Sequence, residues 1–210
     1  MTETAQKALS ILREPDQFQW YIIPIFVFVI YLYYNELHKK EYDAVLAGLA
    51  FWGMDWFNEI WNALVLHFTN FAPVWGAPWK TAYLIFVGLN IEITLMFATL
   101  GLASTKILSD NKKTKILGIN NRWFFAIINS IFAVIIEEYL NYTGALTWEY
   151  SWWNATTPWL IFLIGYLPFF IVAYMVYDMK KMKNKIITVG AILGFDIICI
   201  IIFSGILGWI

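Results

Sequence analysis

Asp55, Asn58, Glu59 and Asn62 stand at offsets of three, four and seven residues inside an apolar stretch, so all four share one face of a helix. A second apolar stretch carries Asn129, Glu137, Glu138 and Asn141, a third Asn90, Glu92 and Thr94, and a last one Asp196 and Ser204. Apart from Lys106 at the end of the third run, no Lys or Arg accompanies these acids within the apolar runs. A carboxylate in hydrocarbon costs about 2.5–3.5 kcal/mol on insertion scales, so acids kept there without cations are functional candidates. Burial disfavours ionisation of a carboxyl, and a second carboxyl nearby disfavours it further. One group then serves as a neutral acid while its ionised neighbour serves as a base.

That pair suits protonation of an alkene or epoxide in a lipid-soluble substrate. The expected donor is Glu137, or alternatively Glu138; the partner is Glu59 or Asp55; and Asp196 is a further acid from the last stretch. Asn62 and Asn141 are the orienting groups, with Asn58, Glu92 and Tyr150 at the substrate. The resulting cation needs aromatic faces, which attract it through their quadrupoles; Trp52, Trp56, Tyr139, Tyr142, Tyr166 and Tyr174 are candidates. The competing structural role is packing for each ring, and interhelical hydrogen bonding for Asn58, Asn62, Asn90 and Asn129.

The elements that must position these groups are transmembrane helices, which need about 20 apolar residues each. Six segments qualify: Trp20–Tyr34, Ala44–Phe68, Thr81–Leu108, Trp123–Leu146, Pro158–Tyr177 and Ile186–Ile210. The expected fold class is an all-α integral membrane protein, a bundle of about six transmembrane helices forming one domain over residues 1–210. Residues 1–19 form a polar or interfacial segment in which a short helix ends near Pro15. Composition agrees, at 60% hydrophobic, 20% aromatic and 14% charged, far from the about 25% charge of soluble domains.

Basic residues collect after the first, third and fifth spans: Lys39 and Lys40; Lys106, Lys112, Lys113, Lys115 and Arg122; Lys180, Lys181, Lys183 and Lys185. The opposite connections carry only Lys7, Arg13 and Lys80, which predicts both termini extracytoplasmic in a multi-pass protein of the cytoplasmic (plasma) membrane. Those outer connections are rich instead in Trp75, Trp79, Trp148, Trp152, Trp153 and Trp159, read as an interfacial belt more readily than as a lid.

Several chemistries are poorly supplied. With only His38 and His67, a histidine-rich di-iron or zinc site is excluded, and lone Cys199 allows neither an intrachain disulfide nor a thiolate cluster. Carboxylate-bound Mg²⁺ at Glu137 and Glu138 has no supporting acid spacing, so no metal and no cofactor is expected. A net charge of −1 without a basic aromatic face gives no nucleic-acid partner.

The run from Glu137 to Tyr150 resembles a pattern in membrane carotenoid hydratases and related carotenoid-biosynthesis proteins, in which an acid ending a span is followed by Thr-Gly and an aromatic turn closing on Tyr. Glu137, Thr143, Gly144 and Tyr150 match it residue by residue, and Pro158 with its following span also fits. The pattern's glycine-containing turn is replaced by Ala145 to Trp148. The arrangement of Trp56 with Glu59, and Asp196 in the last span, is similar to small integral-membrane terpene cyclases, although their adjacent Trp-Glu pair is absent. Both resemblances imply protonation of an isoprenoid, by hydration or cyclisation. The expected partners are a lipid or isoprenoid substrate and the bilayer, with oligomeric state open. The alternative is a proton- or cation-coupled carrier or an accessory subunit, since cation-free intramembrane acids also suit an ion pathway.

Overall fold

The computed structural model describes every residue from Met1 to Ile210. Seven helices make up the chain: α1 (Glu3–Ser10), α2 (Ile22–His38), α3 (Tyr42–Thr69), α4 (Ile91–Thr105), α5 (Asn121–Tyr142), α6 (Pro158–Asp178) and α7 (Met182–Ile206). A two-stranded antiparallel hairpin, β1 (Lys115–Ile116) and β2 (Ile119–Asn120), joins α4 to α5. Three of the helices, α5, α6 and α7, are long and apolar enough to cross a membrane, while α2 and α4 are apolar but shorter.

Helix α3 is the axis of the bundle. Its 28 residues rise about 42 Å at 1.5 Å each, and it packs against α4, α6 and α7. Small residues allow that crowding, with Ala44, Ala47, Gly48, Ala50 and Gly53 all buried along α3. The α3–α4 contact is close: a Cβ added at Gly101 would lie 2.6 Å from Cβ of Phe51. Helix α2 packs outside α4, and α5 outside α6. Phe51, Phe97, Phe169 and Phe170 form the apolar core between α3, α4 and α6. The outer faces are apolar too, as with Phe26, Val27 and Ile30 on α2 and Ile197, Ile198 and Ile201 on α7. Polar groups, by contrast, are buried within, an arrangement suited to a hydrocarbon surround.

One predicted span is corrected. Residues 81–90, expected as the first half of a helix from Thr81 to Leu108, are irregular, and α4 starts only at Ile91. Asn90 caps α4 by accepting a hydrogen bond from the Ile93 amide at 2.8 Å, which stops the helix from extending backwards. The segment from Asn70 to Asn90 instead folds into the bundle as a re-entrant loop. Its backbone groups are met inside the protein, with Ala77 N–H donating to Val87 at 2.9 Å and Gly76 exchanging two hydrogen bonds with Thr147. Irregular backbone among apolar helices requires such internal partners. Hydropathy registered the run from Ala82 to Leu89 as a span because it is apolar; it is apolar because it is buried.

Helix α5, the fourth expected span, also stops earlier than expected. It ends at Tyr142 rather than Leu146, turned out by Gly144 at φ +79. The N-terminal helix packs onto the bundle. Ala5 and Ala8 of α1 are buried against Ala63, Leu66, Ala77, Leu84 and Val87, so α1 straps the re-entrant loop down.

At the opposite end, the loop acids and bases converge. Glu36 binds Lys39 and Lys106, Asp178 binds Lys112 and Arg122, and Asp43 binds Lys185. These pairs tie the α2–α3, α4–α5 and α6–α7 connections together.

Candidate functional site

Asp55, Asn58 and Glu59 project from α3 into a cavity that Glu137 enters from α5 and Tyr166 from α6. The cavity has room for the centres of water-sized molecules amounting to about 80 Å³, enough for several waters. Apart from these groups its walls are largely apolar, including Ile93, Met96, Phe97, Leu100, Leu140 and Phe169.

Each glutamate is held by an indole. Trp75 in the re-entrant loop donates its Nε1–H to Oε1 of Glu59 at 2.8 Å. Trp148, after α5, donates to Oε1 of Glu137 at 3.1 Å. In both cases one carboxyl oxygen is fixed by a neutral donor. Oε2 of Glu59 and Oδ2 of Asp55 have no protein partner although they are buried, and neither has Nε1 of Trp153 across the cavity. Buried polar atoms nearly always find partners, so these point to a site that works on something polar or protic. No lysine or arginine lines the cavity.

The loop that delivers Trp75 is anchored by Asn62. Its Oδ1 accepts from the Val74 amide at 2.7 Å and the Trp75 amide at 3.2 Å, while its Nδ2 donates to the Trp75 carbonyl at 2.7 Å. Gly88 closes against the same place, where an added Cβ would lie 2.4 Å from Nδ2 of Asn62 and 2.7 Å from Oε2 of Glu59. Only glycine lets the loop come that near the carboxyl. Tyr166 ends a π-helical turn, Ile161–Tyr166, a widening of α6 of the kind often found at functional sites.

The cavity opens sideways. Helices α4 and α5 make no extended packing contact, and Met96 and Ile136, 41% and 51% exposed, line both the cavity and the outer surface between them. Toward the loop-rich end, Trp75, Gly88, Leu146 and Trp153 form a roof.

Of the catalytic and substrate candidates singled out in the sequence, Asp55, Asn58, Glu59, Glu137 and Tyr166 meet in this cavity, and the others lie elsewhere. Trp52 and Trp56 turn toward α4, where both indoles donate to Oγ1 of Thr94, at 2.8 and 2.9 Å. Glu92 accepts from Thr81 and from the Ala82 amide, and also binds Tyr21, fastening α4 to the start of α2. Asn62 serves the loop. Asn141 donates to the Leu146 carbonyl at 3.2 Å, and Tyr150 to the Ala72 carbonyl at 2.9 Å, so both secure connections. Tyr139 and Tyr142 are 65% and 88% exposed, on the outside of α5. Glu138 faces outward beside Pro158 and Trp159. Asp196 is buried behind α3, where a Cβ on Gly53 would sit 3.5 Å from its Oδ2, and is not part of the cavity wall. Asn129 bonds Tyr174 at 3.0 Å, a helix-to-helix link.

Sequence reasoning missed the roles of Trp75, Trp148 and Trp153, taken as belt residues, and of Gly88 and Gly165 in the wall. A composition count cannot tell a headgroup tryptophan from a buried donor. The only signal was their crowding near turns that a bundle of this size must fold inward. No three His, Cys, Asp or Glu side chains are grouped so as to hold a metal ion.

Comparison with known proteins places the chain without describing its chemistry. A relative from Archaeoglobus fulgidus, given as an uncharacterized protein, is 58% identical over 209 residues, covering 100% of this chain and 99% of its own. A shorter protein of the same organism and description is 62% identical over 53 residues, 25% of this chain and 95% of its own. No solved structure matches. The chain belongs to the family described as an uncharacterized membrane protein family, whose model matches residues 2–205.

Proposed function

We propose that this family member is a membrane-embedded acid–base enzyme that protonates an alkene or epoxide in an isoprenoid or similar lipid. The observation that carries the reading is the sideways-opening cavity in which Asp55, Glu59 and Glu137 meet with no cation. An apolar substrate enters from the bilayer between Met96 and Ile136, past walls that match its hydrocarbon. Three carboxylates without counter-charge are costly in such a setting, so a neutral carboxylic acid is the favoured form for at least one. Glu137 is the donor in this scheme. Trp148 holds one of its oxygens, and Tyr166 stands beside the carboxyl in the same cavity. Donation leaves the balancing negative charge on Glu137; Glu59, similarly held by Trp75, or Asp55 accepts the proton that the attacking water or the cation gives up and passes it back to Glu137. The faces of Trp75, Trp153, Tyr166 and Phe169 flank the place where a carbocation forms.

The limited room beside the acids favours the end of a chain over a folded one. Hydration or isomerisation at a terminal unit therefore fits better than cyclisation of a long isoprenoid. The reading includes six membrane crossings by α2 to α7, with α4 completed by the re-entrant loop. It also places the ion-paired end in the cytoplasm and both termini outside, in the cytoplasmic membrane. Mass spectrometry of lipid extracts from an isoprenoid-producing host tests it. The wild-type gene should yield an isoprenoid that has gained water or been isomerised, and Glu137→Gln and Glu59→Gln should abolish it. Full turnover in both variants would sink the proposal, and proton-gradient-driven uptake into proteoliposomes would favour a carrier.

A further inference from the structure

At the ion-paired end, α5 and α6 diverge around an open groove of about 660 Å³, remote from the carboxyl cavity. Its head is polar, formed by Lys112, Asn120 and Arg122, and its floor is apolar, formed by Ile171 and Met175, with Trp123 at the boundary. Arg122 occupies the first turn of α5 and Met175 the last turn of α6, so the groove runs from the helix ends about one to two turns inward. That is the depth spanned by a headgroup and the start of its acyl or isoprenyl chains.

The charge at its head is unbalanced. Lys112 and Arg122 both bind Asp178, which leaves two cations against one carboxylate. Arg122 is locked, its Nε and Nη2 on Asp178 at 3.0 and 2.9 Å and its Nη1 on the Ser109 carbonyl. Lys112 is half exposed and retains donor capacity. Beside them the β1–β2 hairpin presents Leu117 at its tip, 88% exposed, next to Lys115. An apolar tip flanked by lysines is the pattern of a loop that dips into a charged interface.

We infer that this groove is a binding site for one anionic phospholipid, its phosphodiester on Lys112 in the positive field of the locked Arg122 and its chains along Ile171 and Met175. The reading is independent of any chemistry in the carboxyl cavity. It follows from charge complementarity over an apolar floor, the arrangement by which basic pockets between membrane helices capture acidic headgroups.

Native mass spectrometry of the full chain in mild detergent tests it, with phosphatidylglycerol and phosphatidylcholine offered at equal concentration. One phosphatidylglycerol should be retained at least about fivefold over phosphatidylcholine. Lys112→Glu and the groove-filling Met175→Trp should each remove that preference, while Lys113→Glu, outside the groove, should not. Met175 faces outward, so its variant tests the groove even if Lys112→Glu fails to fold. Equal retention of the two lipids would overturn the inference. So would equal loss in Lys112→Glu and Lys113→Glu, which would mean surface charge alone, or displacement by inorganic phosphate, which would mean a free-anion site.

Discussion

Two sets of acids in this molecule obey different rules. At the ion-paired end, Glu36, Asp43 and Asp178 each meet one or two lysines or an arginine. In the cavity, Asp55, Glu59 and Glu137 meet only neutral partners, the indoles of Trp75 and Trp148, Asn58, Tyr166 and apolar walls, with no lysine or arginine. The first set holds connections together, and each of its acids is matched by at least one cation. The second set is costly to bury and stabilises no ion pair, so its retention calls for a reason beyond folding. The bundle thus separates acids that join helices through ion pairs from acids that have no cationic partner.

The largest expected effect breaks the cavity set. Glu137→Gln keeps shape and removes the acid, and should lower turnover of the identified lipid by about 10²–10⁴-fold while the protein purifies as wild type. Loss of folding instead of turnover would move Glu137 into the structural class. Next comes the roof. Asn62→Ala removes three hydrogen bonds to the re-entrant loop and leaves buried groups unmet at about 1–3 kcal/mol each, so the melting temperature in detergent should fall by several degrees. An unchanged melting temperature would mean that the loop holds itself.

Asp178→Asn sharpens the contrast from the other side. It should destabilise by about 1–3 kcal/mol, through the loss of charged hydrogen bonds to Arg122, and leave turnover per folded molecule intact. Trp148→Phe keeps an aromatic ring but deletes the donor to Glu137, and should cost roughly tenfold in turnover, about one hydrogen bond's worth. The smallest effect belongs to Tyr142→Ala on the outside of α5, which should stay within about 0.5 kcal/mol in stability and leave turnover unaltered.

How much of this was legible in the sequence differs by residue. The offsets within α3 correctly put Asp55, Asn58 and Glu59 on one face, because helical period is a property of the helix alone. The same offsets included Asn62, which lies one turn further on and meets the loop instead. For Asp196 the burial was readable from its apolar surroundings, but not the direction, since which side of α3 receives α7 depends on packing around Gly53. Tyr139 and Tyr142 share a helix with Glu137 yet point to the opposite side, which their own spacing from Glu137 could have shown. The re-entrant loop was hidden because a hydropathy window cannot distinguish an apolar helix from an apolar loop buried by its neighbours. With the loop went Trp75 and Gly88, and hence the roof of the cavity.

The most direct test of the division between the two sets is infrared difference spectroscopy of the purified protein at neutral pH. The account predicts a carbonyl stretch of a neutral carboxylic acid, lost or shifted in Glu137→Gln or Glu59→Gln and untouched in Asp178→Asn. Absence of that band would show that the cavity acids are ionised, and its survival in both glutamine variants would show that neither glutamate carries the proton; either result contradicts the proposal that Glu137 donates one.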